Sequence, residues 1–207
     1  MLEPVADNPD AIQALTALAA GLGLSAAAGF RVFVPLLVLG VCQRLEVAVP
    51  LSLGEGFEWI SSWPAIIMLS AATLAEVGAY YVPWIDNLLD SIATPAAMVS
   101  GTLLSAALMP EMPEAIQWAG AVVMGGGTAG VVQLGSVLTR ATSTATSGGL
   151  ANPIVSTGEA GGAVATSVLA LVIPFVIGFF VLLLVIWLGS KIIRRLFRKR
   201  QAPAQPA

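Results

Sequence analysis

Four charged residues stand inside otherwise apolar stretches of this 207-residue chain: Arg31, Glu76, Arg140 and Glu159. A charge at membrane depth costs about 2.5 to 3.5 kcal/mol on insertion scales, so such groups turn toward a protein interior or a wet cavity and pair with one another. Two arginines and two glutamates permit that pairing, with Arg31 or Arg140 against Glu76 or Glu159. Two kinds of chemistry follow. One is a structural ion pair that fixes helix packing. The other is a polar pathway for a small solute or ion, in which the arginines take an anion or act as counter-charges and the glutamates take a cation or a proton. Asp86 and Asp90 lie at a boundary and are four residues apart. One helical turn places both carboxylates on one face, either exposed to water or gripping a cation. Histidine is absent and the single cysteine, Cys42, lies in an apolar run. That removes imidazole shuttles, Ser–His triads, His-based metal sites and thiolate pairs. The expectation is a protein that is not an enzyme, with no cofactor, no metal and no nucleic-acid partner.

The two downstream charges bracket a run of small and hydroxyl residues, TRATSTATSGGLANPIVSTGE, from Thr139 to Glu159. Its hydroxyls can satisfy neighbouring backbone groups, which suits non-helical backbone lining a cavity within a membrane. A re-entrant hairpin is expected here, turning at Gly148-Gly149 and starting its return limb at Asn152-Pro153, with Asn152 joining the candidate pathway residues. An extramembrane loop is the alternative.

The elements that must position these residues follow from composition. Hydrophobic residues make up 57% of the chain and charged residues 10%, and the mean hydropathy is +0.89. One soluble core of this size cannot absorb that apolar excess, whereas a lipid-facing surface can. The fold class is therefore all-α, a polytopic transmembrane bundle of five or six spans. Six of the nine basic residues fall between Lys191 and Arg200, with no acid among them. The positive-inside rule puts this C-terminal segment in the cytoplasm, and a basic segment beside an apolar helix attracts anionic lipid.

Residues 1–10 form an acidic N-terminal segment, residues 11–190 a single transmembrane domain, and residues 191–207 a basic tail ending in disorder. Asn8-Pro9-Asp10 reads as a helix start. The apolar run from Ala11 to Cys42 would make a helix of roughly 48 Å, longer than the hydrocarbon core. A break is expected within GLGLSAAAGFRVFVP, where glycines and alanines meet Arg31 and then Pro35. Further spans are expected at Ala65 to Val82, ending in the interfacial pair Tyr80-Tyr81, at Pro95 to Met109, and at Ala115 to Leu138. The last carries a GxxxG between Gly126 and Gly130, which points to a homo-oligomer packed through that span. Residues 161–190 read as one long apolar helix kinked at Pro174.

The segment Asn8 to Gly23 aligns with Met112 to Gly127 at a constant offset of 104. That suggests repeats over 8–109 and 112–190, and an odd number of spans in each would make the halves inverted, a recurring transporter plan. An accessory subunit of a larger membrane complex is the alternative function to a transporter or channel-like protein.

The motifs GFRVFVPLL, EVGAYYVPWIDNLLD and TRATSTATSGGLANPIVSTGE, in that order, resemble those of a family of bacterial and plastid multi-pass membrane proteins known only as a domain of unknown function. The resemblance implies an inner-membrane protein and brings no activity, substrate or site residue with it.

Overall fold

A computed structural model describes residues 9–47, 51–80, 83–109 and 112–200, and for residues 9, 10, 83–90, 192, 193 and 195–200 it describes the backbone alone. Residues 1–8, the expected interfacial Tyr81 and the expected disordered end at 201–207 lie outside the described residues.

Helix α1 (Pro9–Ala28) opens on a proline, whose missing N–H is no loss in a first turn. Apart from Leu24, its buried apolar positions are small: Ala17, Ala20, Ala26, Ala27 and Ala28. Small side chains let neighbouring backbones come close. The long apolar run then breaks where the sequence suggested. At Gly29 a Cβ would lie 2.6 Å from the Ala129 carbonyl oxygen, so this position takes no side chain. The chain restarts as α2 (Val34–Arg44), with Pro35 in its first turn. At 11 residues α2 is about 16 Å long, roughly half the hydrocarbon core.

The loop after α2 ends in a 3₁₀ turn, Glu58–Ser61, and α3 (Trp63–Ala79) begins with the Ser62 side chain accepting from Ala65 N. Helix α4 (Pro83–Leu108) contains the expected third span and, in its first turns, the backbone of Asp86 and Asp90. Helix α5 (Glu114–Ala121), a π-helical turn (Val122–Gly126) and α6 (Gly127–Ser147) form one continuous rod. Helices α7 (Asn152–Val172) and α8 (Pro174–Arg200) complete the described residues. Among the described residues, five stretches are long and apolar enough to cross a membrane: Ala11–Ala28, Ser91–Leu108, Glu114–Ser147, Asn152–Val172 and Pro174–Lys191. The molecule is an all-α helix bundle of the multi-pass membrane type, with α2 and α3 as shorter apolar helices.

Pairwise contacts give the directions. Gly21 packs on Ser105, and Ser25 Oγ donates to the Gly101 carbonyl at 2.9 Å, so α1 and α4 are antiparallel. Gly125 meets Gly101 and Ser105, while Gly130 meets Met98, so α4 and α6 are antiparallel as well. It follows that α1 and α6 run the same way, whereas inverted halves would oppose them. Helix α2 turns back. Ser100 Oγ donates to the Val32 carbonyl at 2.8 Å at one end of α2, and Gly40 presses on Ile60 near the other. The loop beneath Ile60 is tied in turn to the end of α4 through Gly54 N and the Ala107 carbonyl, 2.8 Å apart. Thus α1 and α2 form a hairpin whose bend lies level with Ser100, midway along the apolar window of α4.

Three expectations are corrected. The stretch from Thr139 to Glu159 is not irregular backbone: α6 continues to Ser147, Gly148 and Gly149 turn with φ of 63° and 90°, and α7 starts at Asn152. Several of its hydroxyls bond back within the helices. Thr139, Thr142 and Thr146 each donate to the carbonyl four residues back, as Thr157 does in α7. Pro174 does not kink one helix. It separates two, because Gly23 packs on both Ala170 and Ile177 while Ala19 meets Gly178, which places the chain reversal between α7 and α8. The GxxxG face of Gly126 and Gly130 is not free for a second copy. A Cβ on Gly126 would stand 2.6 Å from Thr102 Oγ1 and one on Gly130 3.2 Å from the Met98 side chain, so α4 of the same chain occupies that face.

Candidate functional site

The buried bend between α1 and α2 carries Arg31, whose side chain is fully enclosed. Its Nη2 donates to the Ser156 carbonyl at 2.9 Å and to Ser156 Oγ at 2.6 Å, and lies 3.4 Å from Glu159 Oε2. Its guanidinium carbon stands 4.0 Å from the centroid of the Tyr80 ring. Among the described residues, Nε and Nη1 of Arg31 have no hydrogen-bond partner.

Starting a helix inside the bundle leaves N–H groups without intrahelical acceptors, and side chains must supply them. Glu76 of α3 fills that need. Its Oε1 accepts from Val32 N at 2.8 Å and its Oε2 from Phe33 N at 3.2 Å. A carboxylate is favoured there because the helix dipole is positive at that end. Glu76 therefore caps the bend, and the charges of Arg31 and Arg140 act on it through space.

The other half of the site comes from the α6–α7 hairpin. Ser136 and Arg140 are four apart on α6, and Ser156 and Glu159 are three apart on α7, so each pair shares a helix face. Arg140 forms an ion pair with Glu159 through Nη2 and Oε2, and its Nε donates to Oε1 at 3.3 Å. Ser136 Oγ donates to the same Oε1. Arg140 also places its guanidinium carbon 3.9 Å from the Tyr80 ring centroid. One tyrosine ring thus serves two cations, each attracted by its negative face. None of Arg31, Glu76, Tyr80, Ser136, Arg140, Ser156 and Glu159 exposes more than 8% of its surface.

The structure thus gathers Arg31, Glu76, Arg140 and Glu159 into one buried centre. Asn152 stands apart. It lies seven residues before Glu159, about 10 Å along the helix, where its amide donates to Thr144 Oγ1 across the hairpin turn at 3.1 Å. The side chains of Asp86 and Asp90 lie outside the described residues. Sequence reasoning missed Tyr80, Ser136 and Ser156. Tyr80 was expected at an interface and is buried instead. Its spacing of four from Glu76, like the spacings of Ser136 and Ser156 from the charges, was the available signal.

Over residues 18–195 the chain matches the family described as Domain of unknown function (DUF4126). It belongs to that family. The matched span holds every residue of the polar centre, so the DUF4126 region and the buried site coincide. No curated protein and no solved structure matches the chain.

Chemically, the centre offers a fixed ion pair, a second guanidinium with donors to spare, and a helix start held by a carboxylate. An acceptor oxygen or a small anion suits the spare donors. A proton or a small cation suits the glutamates.

Proposed function

We propose that this is a small multi-pass transporter or channel-like protein that passes a small solute or ion through the Arg31–Glu76–Arg140–Glu159 centre, held here in a closed arrangement. The observation that carries this reading is the bend at Arg31: a helix break at mid-depth bearing a guanidinium whose Nε and Nη1 donors find no protein acceptor. Irregular backbone at membrane depth is tolerated where it is buried or lines a cavity, and transporters place their sites at interrupted helices. A buried donor left unmade costs about 1 to 3 kcal/mol, a cost that a solute with acceptor oxygens or a small anion would offset. In this reading the protein catalyses no covalent chemistry. The loop between α2 and α3, which carries Glu46, Glu55 and Glu58, and the start of α5 face outward, the basic end of α8 lies in the cytoplasm, and the membrane is the bacterial inner membrane or a related one.

The test is flux into vesicles reconstituted with the purified chain, using chloride, nitrate and protons as probes. Arg140→Gln should abolish flux, and because it also breaks the ion pair with Glu159 at a cost of about 3 to 5 kcal/mol, flux is read only from the fraction that elutes folded and monodisperse. Unchanged flux would remove Arg140 from the mechanism.

A second reading, an accessory subunit of a larger membrane complex, is favoured by α8. Only 17% of its apolar window is buried, and Phe175, Phe179, Phe180, Leu183 and Ile186 are exposed along it. Stable co-isolation with an enzyme complex after gentle solubilisation, together with no flux from the isolated chain, would favour this role.

A further inference from the structure

On a different face of α6 from Ser136 and Arg140, a groove of about 350 Å³ opens between α6 and α8 where the basic segment begins, lined by Gly135, Leu138, Thr139, Thr142, Trp187 and Lys191. We infer that this groove is a binding site for one anionic phospholipid with a hydroxyl-bearing headgroup, of the phosphatidylglycerol kind.

The position is the first argument. Lys191 ends the apolar window Pro174–Lys191, so the groove lies where the hydrocarbon meets the headgroups. Its α8 wall is largely uncovered by protein, so acyl chains reach it from the side. The shape is the second argument. Gly135 has no side chain and a Cβ there would just touch Leu188, 3.5 Å away, so the floor of the groove is a glycine over a leucine, with Leu138 and Trp187 as its apolar walls for one acyl chain.

Charge and hydrogen bonding select the headgroup. Lys191 Nζ lies 4.6 Å from the centroid of the Trp187 ring at the mouth of the groove, and Arg194 follows three residues on, a neighbour on the same helix face. Neither α6 nor α8 contains an acidic residue, so neither wall supplies a carboxylate to Lys191. Basic pockets between helices at a membrane surface take anionic headgroups in this way. The hydroxyls of Thr139 and Thr142 already donate to the carbonyls of Gly135 and Leu138, so their oxygens are left as acceptors. A phosphate cannot use acceptors, but the glycerol hydroxyls of the headgroup can donate to them.

The experiment is native mass spectrometry of the full chain released from nanodiscs of equal phosphatidylglycerol and phosphatidylcholine. The wild type should retain phosphatidylglycerol in preference, one molecule per chain. Lys191→Ala should cut that preference roughly fivefold, the ordinary effect of one basic residue near an anionic surface. Gly135→Leu should cut it as well, with no change of charge, by filling the groove at its floor, and Thr142→Ile serves as a second blocking variant at the groove rim. Preference unchanged in Lys191→Ala, or kept in both blocking variants, would overturn the groove and leave the charge of the basic segment as the cause. Displacement by free glycerol phosphate as complete as by intact lipid would overturn the lipid and leave a soluble-anion site.

Discussion

The two arginine–glutamate sets of the polar centre share one patch but are built on opposite principles. In the second half of the chain, α6 and α7 are continuous helices whose backbone bonds are internally complete, so Glu159 is free to pair fully with Arg140 and Ser136. In the first half the helix is interrupted. Glu76 is drawn to the exposed N–H groups of Val32 and Phe33, and Arg31 is left to a backbone carbonyl, a hydroxyl and an aromatic ring. A break in a helix therefore changes what a nearby carboxylate does. It binds backbone first and its neighbouring cation second. One side of the centre is saturated and the other retains donors; in the proposed transporter the saturated pair would be the fixed counter-charge and the bend the side that meets the solute.

The strongest way to break this comparison is Glu159→Ala, which leaves Arg140 without its carboxylate and takes one from Arg31. Removing one partner of a buried ion pair costs about 3 to 5 kcal/mol, and unfolding in mixed micelles should show a loss of that order. Glu76→Ala should cost less, about 1 to 3 kcal/mol, because it strands backbone donors and not a full charge. A larger loss at Glu76 than at Glu159 would reverse the assignment of roles. The finest test is a pair of double-mutant cycles. The Arg140–Glu159 coupling should lie near the upper end of measured values, about 3 kcal/mol, and the Arg31–Glu159 coupling, across 3.4 Å, near the lower end, about 0.5 kcal/mol. Equal couplings would mean that Glu159 serves both arginines alike.

Much of this was legible in the residues themselves. Charges within apolar runs announce a buried cluster, because the membrane makes any other placement costly. The break before Pro35 follows from helix length against membrane thickness, and the turn at Gly148-Gly149 from their freedom at positive φ. What misled was local chemistry with two uses. A Ser/Thr-rich run suits irregular backbone, yet the same hydroxyls bond four residues back and keep a helix intact. Glycines at a spacing of four suit self-association, yet they serve equally to seat α4 within the chain. Pro174 is compatible with a kink or a reversal, and only the packing of Gly23 against both sides of it decides. Tyr80 stands beside a span end, where aromatics often meet headgroups. The two guanidiniums that hold it inside come from residues 49 before and 60 after it in the chain, too distant for a local reading to connect.

The π-helical turn at Val122–Gly126 sets the phase of everything after it. One added residue rotates the following helix by about 100° relative to an uninterrupted α-helix. Gly125 and Gly126 inside the turn seat the rod on α4, and ten residues beyond Gly126 the face carrying Ser136 and Arg140 is aimed at Glu159. The rod behaves as an indexed shaft: the glycines are its bearing, the arginine is its key, and the extra residue is the offset between them. A chain one residue shorter in this turn would keep its hydropathy and still read as a membrane span, but it could not hold the bearing against α4 and the key against Glu159 at once.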